Sequence, residues 1–463
     1  MGKNSILLDR LASNTQSADD SEHIIETLEI ESQLKSKLVD SAKQQEIDTM
    51  SDEASDELQR IANQLLENMN VSYNKEEKMN IIDRVINEML GVGPLEPLLD
   101  DDSITEIMVN GPNKIFVERN GEVERITEVS FKSEQHIKDI IDRIVAKLGR
   151  RIDASEPKVD ARLPDGSRVN ASIPPIAIDG PNITIRKFAV EKMTVEDLYD
   201  YGSINEDIVQ FLKAVMQGRK NVIFSGGTGS GKTTFLNIVS DFIPLSQRIV
   251  TIEDSAELQL KHSNYKDGNI LRMETKTANV EGKGEIDIHD LVVDSLRKRP
   301  DRIIVGECRG DEAVEMISAF NTGHPGSLST VHANAAEKAL MRLENMIARV
   351  STNINIQSIR QDLGSAIDII VQLSRLEDGS RKTMEVLEVI DYDYNEDEYE
   401  LNPLFEFKRT GKKEVKKVVD GEEKTNTIVL GEYVPTGNKP SFLEEFKMRD
   451  IDLDEKIFEP KEN

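Results

Sequence analysis

The chain has 463 residues, 31% of them charged, a single cysteine and a formal net charge of -28. That length exceeds what one hydrophobic core serves, so about two to four domains are expected. One cysteine excludes an internal disulfide framework and a cysteine zinc cluster and fits a reducing compartment, while the negative charge disfavours nonspecific binding to nucleic acid or anionic lipid. The apolar patch before Asp9 and Arg10 is too short for a signal peptide. No apolar run approaches the length of a membrane span, so a chain neither secreted nor membrane-spanning, with the cytoplasm as default, is expected.

In chain order, residues 1–55 are polar and acidic and read as a mobile leader. Residues 56–94 carry apolar residues three or four apart, stopped by Gly91 and Pro94, which predicts a small helical bundle. From 95 to 192 the pattern changes to short alternating runs split by Asn110-Gly111 and Asn120-Gly121, the signature of antiparallel hairpins in a mixed α+β domain with one helix, "EQHIKDIIDRIVAKLG". A helix capped by Thr194 is expected to open the next domain, 193–395. There "NVIFS", "RIVTIED", "RIIVGE", "SLSTVHA" and "AIDIIVQLS" alternate with helical stretches, which predicts an α/β domain built on a parallel sheet. The extension 396–463 follows "DYDYNEDEYE", six acids in ten residues, and is expected to form loosely packed surface strands.

The strongest chemical signal is "NVIFSGGTGSGKTT". Glycines there let backbone N–H groups turn inward around phosphates, Lys232 supplies charge at the outer phosphates and the Thr233 hydroxyl is a magnesium ligand. The strand before and the helix after are what the mechanism requires. Gly226, Gly227, Thr228, Gly229, Ser230, Gly231, Lys232, Thr233 and Thr234 are therefore the candidate nucleotide-binding residues.

"RIVTIEDSAEL" delivers Glu253 and Asp254 to a strand's carboxyl end, where open parallel sheets place their ligands. A carboxylate there orients attacking water; for Asp254 a helix-capping role stands equally. "RIIVGECRG" places Glu307 about 75 residues beyond the loop, in reach of magnesium directly or through water. Cys308, without a partner cysteine or metal spacing, is expected to be a small buried side chain. His324 and His332 stand eight apart across a Gly-Pro-Gly turn, a spacing that does not suit zinc. His332 has two readings, a satisfied turn histidine or a γ-phosphate contact. Arg162, Arg168, Arg186 and Lys187 cluster in the mixed domain, and Arg297, Arg299, Arg302 and Arg309 flank Glu307. Structural ion pairs explain such residues; alternatively Arg168 and Arg186 supply positive charge to a transition state, with Arg309 a candidate for the same pocket.

Together "GPLEPLLDDDSITEIMVNGPNKIFVER", "DARLPDGSRVNASIPP", "NITIRKF", "GGTGSGKTT", "TIEDSAEL", "RPDRIIVGECRGDEA", "NTGHPGSLSTVHAN" and "SAIDIIVQLSRLEDGSR" resemble the secretion ATPase superfamily of type II and type IV secretion and type IV pili. Within it the chain looks most like the CpaF family, also called TadA, of tight-adherence pilus systems. The resemblance implies a RecA-like P-loop ATPase domain using ATP and Mg2+, with Glu253 and Glu307 serving catalysis and magnesium. It further implies a His box of His324 and His332 near the γ-phosphate, and Arg168 and Arg186 closing over nucleotide. A cytoplasmic homohexamer at the inner face of the membrane, driving pilus assembly through an inner-membrane platform protein, is implied as well. The absent tetracysteine motif favours the CpaF or VirB11-like branches and no zinc. The rivals are a VirB11-like type IV secretion ATPase, a nucleic-acid motor and a ring subunit that binds ATP without turnover.

Overall fold

The computed structural model describes residues 18–45, 54–69, 73–119, 121–146, 150–188, 193–260, 268–276, 278, 283–350, 355–419 and 422–460. Their contacts divide the chain into two units, Met1–Val190 and Glu191–Asn463.

In the first unit α1 (Ala18–Gln44), α2 (Ala54–Asn68) and α3 (Lys75–Leu90) share one core. α1 runs through the stretch expected to be a mobile leader. The reason is visible in its spacing: Ile30, Leu34, Leu38 and Ala42 recur every four residues and are buried with Leu58 and Ile82. Residues 1–17 and 46–53 of the leader lie outside the described residues. Asn74 and Glu77 cap α3 reciprocally, and Gly91 ends it.

α4 (Glu96–Leu99) leads into β1 (Ile104–Val109), β2 (Ile115–Arg119), β3 (Glu122–Ile126), α5 (Glu134–Ala146), β4 (Lys158–Arg162), β5 (Arg168–Ser172) and β6 (Asn182–Arg186). The strands form one antiparallel sheet in the order β3-β2-β1-β6-β5-β4. Strand alternation turns Ile107, Val109, Val169 and Ile183 toward the core that α5 shares through Ile137, Ile140 and Ile144. Asn110 and Gly111 make the β1–β2 turn; the Asn120 of the second expected turn lies outside the described residues.

The second unit opens with α6 (Val195–Asp200), capped by Thr194 as its position before the helical pattern implied. α7 (Glu206–Gln217), β7 (Val222–Gly226), α8 (Lys232–Ser240), β8 (Ile249–Glu253), β9 (Ile270–Glu274), α9 (Ile288–Ser295), β10 (Arg302–Cys308), α10 (Glu312–Asn321), β11 (Leu328–Val331), α11 (Ala336–Val350), α12 (Ile356–Ala366) and β12 (Ile369–Arg375) follow. The order β12-β7-β11-β10-β8-β9 is parallel throughout and helices cover it, the doubly covered α/β arrangement expected of a RecA-like domain. Each of the five expected strands is present. β9, whose residues are only partly buried, carried no pattern by which to predict it.

β13 (Arg381–Asp393), β14 (Glu398–Val419) and β15 (Glu422–Pro435) extend the sheet antiparallel past β12, and α13 (Leu443–Met448) follows. This tail is not the loose surface layer expected. Phe405, Phe442, Phe446 and Phe458 are buried in the main core around Phe211, so the aromatic residues of the extension complete the ATPase-like domain rather than decorate it.

At the sheet's amino edge Arg302 is fully buried, its Nε donating to Gln247 Oε1 at 2.6 Å, Nη1 to Gly326 O at 2.8 Å and Nη2 to Met216 O at 2.6 Å. That placement makes it a structural residue rather than a pocket arginine. Gly326 has φ 83°, and a Cβ there would stand 1.6 Å from Arg302 Nη1. Gly326→Ala is therefore expected to cost about 3 kcal/mol or more of stability, visible as a lowered urea midpoint; an unchanged midpoint would show that the guanidinium has room to move.

Candidate nucleotide site

The phosphate loop begins where β7 ends. Gly226 cannot carry a side chain, because a Cβ would meet Ser230 Oγ at 2.4 Å and Leu373 O at 2.7 Å. Gly229 and Gly231 take φ of 70° and 93°, the left-handed turns that fold the loop from Gly226 to Gly231 onto the amino end of α8. Lys232 opens that helix, and its Nζ turns back to donate to Gly226 O and Gly227 O, each at 3.1 Å. Burial pushes its pKa down, while Glu307 works in the opposite direction. Thr233 and Thr234 follow in the first turn of α8.

Sheet order then brings together residues that are far apart in the chain. β11 lies beside β7 and β10 beside β11, so their carboxyl ends put His332 and Glu307 next to Lys232. The Lys232 Nζ stands 3.3 Å from His332 Nδ1 and 3.4 Å from its Nε2. Glu307 Oε1 is 2.9 Å from His332 Nε2 without an aligned hydrogen bond, and Glu307 Oε2 accepts from Arg309 Nη2 at 2.6 Å. Arg309 also reaches Asp254 Oδ2 at 3.3 Å, which gives Asp254 an ion-pair partner in the site. Burial pushes the Glu307 carboxyl up, but the Arg309 bond and charge, with His332 and Lys232, hold it below its usual range. Burial, then Lys232, push His332 down against the pull of Glu307, so the imidazole is neutral at neutral pH.

Glu253 ends β8 and is 3% exposed. Its Oε2 accepts from Glu257 N at 2.7 Å and Leu258 N at 2.9 Å, which fastens the following loop. Its Oε1 is buried with no hydrogen-bond partner among the described residues. Burial outweighs those two bonds and raises the pKa to about 7. Gly306 lets the adjoining strand pass close, since a Cβ there would meet Glu253 Cγ at 3.0 Å. One carboxylate oxygen thus supports the fold and the other is left for chemistry.

The remaining expected residues fall elsewhere. His324 precedes β11 and His332 follows it, so the strand holds them at opposite edges of the sheet; the His324 carbonyl accepts from Ser327 Oγ instead. Arg168 and Arg186 lie in the first unit, in register with each other and with Arg162, while Arg186 stands 4.0 Å from Glu106. Cys308 is fully buried, 4.0 Å from Met346 Sδ, and burial pushes its thiol far up. It is a packing residue. Cys308→Ala is expected to leave phosphate release within about twofold of wild type and to cost about 1 kcal/mol of stability; abolished release with an intact fold would give the thiol a chemical role.

Sequence patterns passed over Arg342 on α11. It lines, with Gly227, Thr228, Arg309 and His332, a cavity of about 730 Å³ beside the loop. Its signal was its helical position alone, since nothing local ties it to the loop. For magnesium, among the described residues no group of three or more His, Cys, Asp or Glu could hold a metal ion. Thr233 and Glu307 offer oxygen donors next to the loop, and Glu307 Oε1 is a buried acceptor without a hydrogen bond, a set that suits an ion completed by phosphate and water.

The type II/IV secretion system protein family matches residues 88–429. A probable conjugal transfer protein TrbB of Sinorhizobium fredii is 33% identical over 310 residues, which span 66% of this chain and 89% of that protein. The type IV secretion system protein VirB11 of Bartonella quintana is 31% identical over 335 residues, 63% of this chain and 90% of that one. Among solved structures, the VirB11 ATPase of the Brucella suis type IV secretion system, in complex with sulphate, aligns over 63% of this chain and 94% of that chain at 29% identity with a TM-score of 0.34. Among the described residues no helix is long and apolar enough to cross a membrane. With the match running through both units and across the parallel sheet that carries the phosphate loop, the chain belongs to the type II/IV secretion system protein family.

Proposed function

We propose that this chain hydrolyses ATP and converts the cleavage into work on a membrane-embedded partner. The observation that carries the reading is the continuous contact from Lys232 through His332 and Glu307 to Arg309 at the carboxyl edge of the parallel sheet, beside the phosphate loop. In this reading the loop amides and Lys232 hold the β- and γ-phosphates, and neutral His332 donates its N–H to a γ-phosphate oxygen. Glu253 Oε1 takes a proton from the attacking water, which its pKa of about 7 suits. Magnesium, when bound, would be held by Thr233 and Glu307 and would neutralise phosphate charge. Arg309 keeps Glu307 ionised and aimed. Arg168 and Arg186 are the candidates of the first unit for neutralising the transition state, and their shared register supports treating them as one cationic row.

We further infer a homohexamer, cytoplasmic and peripheral to the inner membrane, that works on a platform protein to assemble a tight-adherence pilus. The quoted CpaF-like motifs support that branch. The TrbB and VirB11 relatives favour a second reading, a type IV secretion or conjugal ATPase. A prepilin gene and a platform membrane protein gene beside this one would support the pilus; a mating-channel operon would replace it. The net charge of -28 opposes a nucleic-acid motor. Hydrolysis itself is tested by steady-state phosphate release: wild type should turn over ATP and Lys232→Ala should not. Equal background rates would leave a ring subunit without turnover, and stimulation by DNA would revive the motor.

A further inference from the structure

β7 has two neighbours in the sheet, and they differ in chemistry. On the β11 side stand His332 and Glu307, the groups facing the terminal phosphate in the reading above. On the β12 side Leu373 pairs with Gly226, so β12 runs up beneath the loop, and Arg375 ends it two residues further on. Arg381, the first residue of β13, pairs directly with Arg375 across the hairpin. Its Nε donates to Gly229 O at 3.0 Å, and its Cδ lies 3.3 Å from where a Gly231 side chain would start. Arg375 Nη1 lies 3.8 Å from the corresponding point on Gly229.

Two arginines directly opposite on an antiparallel pair repel each other, and a fold keeps such a pair when something negative offsets it. The two acids of the connecting turn do not serve. Asp378 accepts from Ser380 N at 2.9 Å and from Val429 N at 2.7 Å. Glu377 pairs with Lys412 at 2.7 Å and with Arg409 at 3.5 Å. Among the described residues neither Arg375 nor Arg381 has a carboxylate at ion-pair distance. The pair therefore presents two uncompensated guanidinium groups against the rim of a phosphate loop.

We propose that Arg375 and Arg381 form an anion subsite for the α-phosphate of the bound nucleotide, on the β12 side of the loop. The proposal rests on the nucleotide-binding reading above. A nucleotide whose γ-phosphate lies toward β11 runs its remaining length toward β12, where these two groups wait. Planar guanidinium forks suit phosphate oxygens, and a hydrogen bond to a charged group is worth enough to be measured. The α-phosphate is common to ATP and ADP and unchanged by cleavage, so the contact serves binding rather than the chemical step.

Calorimetric titration of the full chain with magnesium ADP tests this. Arg375→Ala is the primary variant, because Arg381 also holds the Gly229 carbonyl. Its ADP dissociation constant is expected to rise about tenfold, with the KM for ATP rising in step and by more than kcat changes. Arg375→Lys should recover part of the affinity, having the charge without the fork. Titration with adenosine, which lacks phosphate, should give the same affinity for wild type and Arg375→Ala. Unchanged ADP affinity in Arg375→Ala, a loss confined to kcat, or an equal loss for adenosine would each overturn the subsite. Wild type failing to bind ADP at all would instead overturn the nucleotide-binding reading beneath it.

Discussion

Glu307→Gln is expected to lower ATP turnover about a hundredfold to a thousandfold while the protein still binds nucleotide. The substitution keeps the side chain's size and removes its charge, and that charge is shared in three directions. Oε2 accepts from Arg309 Nη2 at 2.6 Å, Oε1 lies 2.9 Å from His332 Nε2, and Lys232 is stabilised by the same carboxylate. A neutral amide would leave Arg309 to Asp254, 3.3 Å from its Nη1, and would draw the arginine out of line. It would also deprive a metal on Thr233 of its carboxylate partner. In the proposed reading binding survives because the loop amides and the Lys232 bonds to Gly226 O and Gly227 O do not depend on Glu307. Steady-state phosphate release and ADP titration, measured side by side, separate the two effects. A variant that loses binding and turnover equally would make Glu307 a binding residue only.

The second large effect is expected at Glu253. Glu253→Gln should lower kcat by about two to four orders of magnitude and should also remove a feature of the pH profile. The wild-type carboxyl, raised to about 7 by burial, must be ionised to accept a proton, so the wild-type rate should fall about tenfold per pH unit below that value. The residual rate of the variant should lack that limb. Stability moves the other way. Folding raises this pKa, so the folded chain holds the proton more firmly than the unfolded one; its contribution is complete below the ordinary glutamate range and is lost as pH rises through about 7. Glu253→Gln, whose amide oxygen can still accept from Glu257 N and Leu258 N, does not titrate. Its stability relative to wild type should therefore improve between about pH 4.5 and 7, by as much as about 3 kcal/mol. Denaturant midpoints across that window check the sign. A constant difference would mean that Glu253 titrates alike in both states.

The local part of this site was legible in the sequence because its chemistry is local. A strand, a glycine turn and a helix from Asn221 to Ser240 are contiguous, and the glycines at 229 and 231 are needed where the backbone turns left-handed. The ends of β8 and β10 were legible for a similar reason, since β-branched runs ended in acids. Contacts that depend on sheet order were not. Nothing near His332 indicates that Lys232, a hundred residues earlier, will stand 3.3 Å away, whereas the separation of His324 from His332 was implicit in the strand expected over "SLSTVHA" between them. Arg375 and Arg381 acquire meaning only from cross-strand register. The carboxyl-terminal tail misled because its buried phenylalanines are isolated from one another in the sequence, Phe405 in β14, Phe446 in α13, and Phe442 and Phe458 outside both. Phe442 meets Phe211 more than two hundred positions away, Phe446 packs on Phe442, and neither leaves a period to detect. α1 misled for the opposite reason, its four-residue apolar spacing diluted by a polar surface.

The most direct test of the account is a single-turnover experiment with purified chain in excess over magnesium ATP, in which bound nucleotide and released phosphate are followed together. Wild type should bind ATP and release phosphate; Glu307→Gln should bind ATP and retain it uncleaved, and Lys232→Ala should bind little and cleave none. Equal phosphate release by wild type and Glu307→Gln would contradict the account, because it would place hydrolysis outside the contact that joins the loop to β10 and β11.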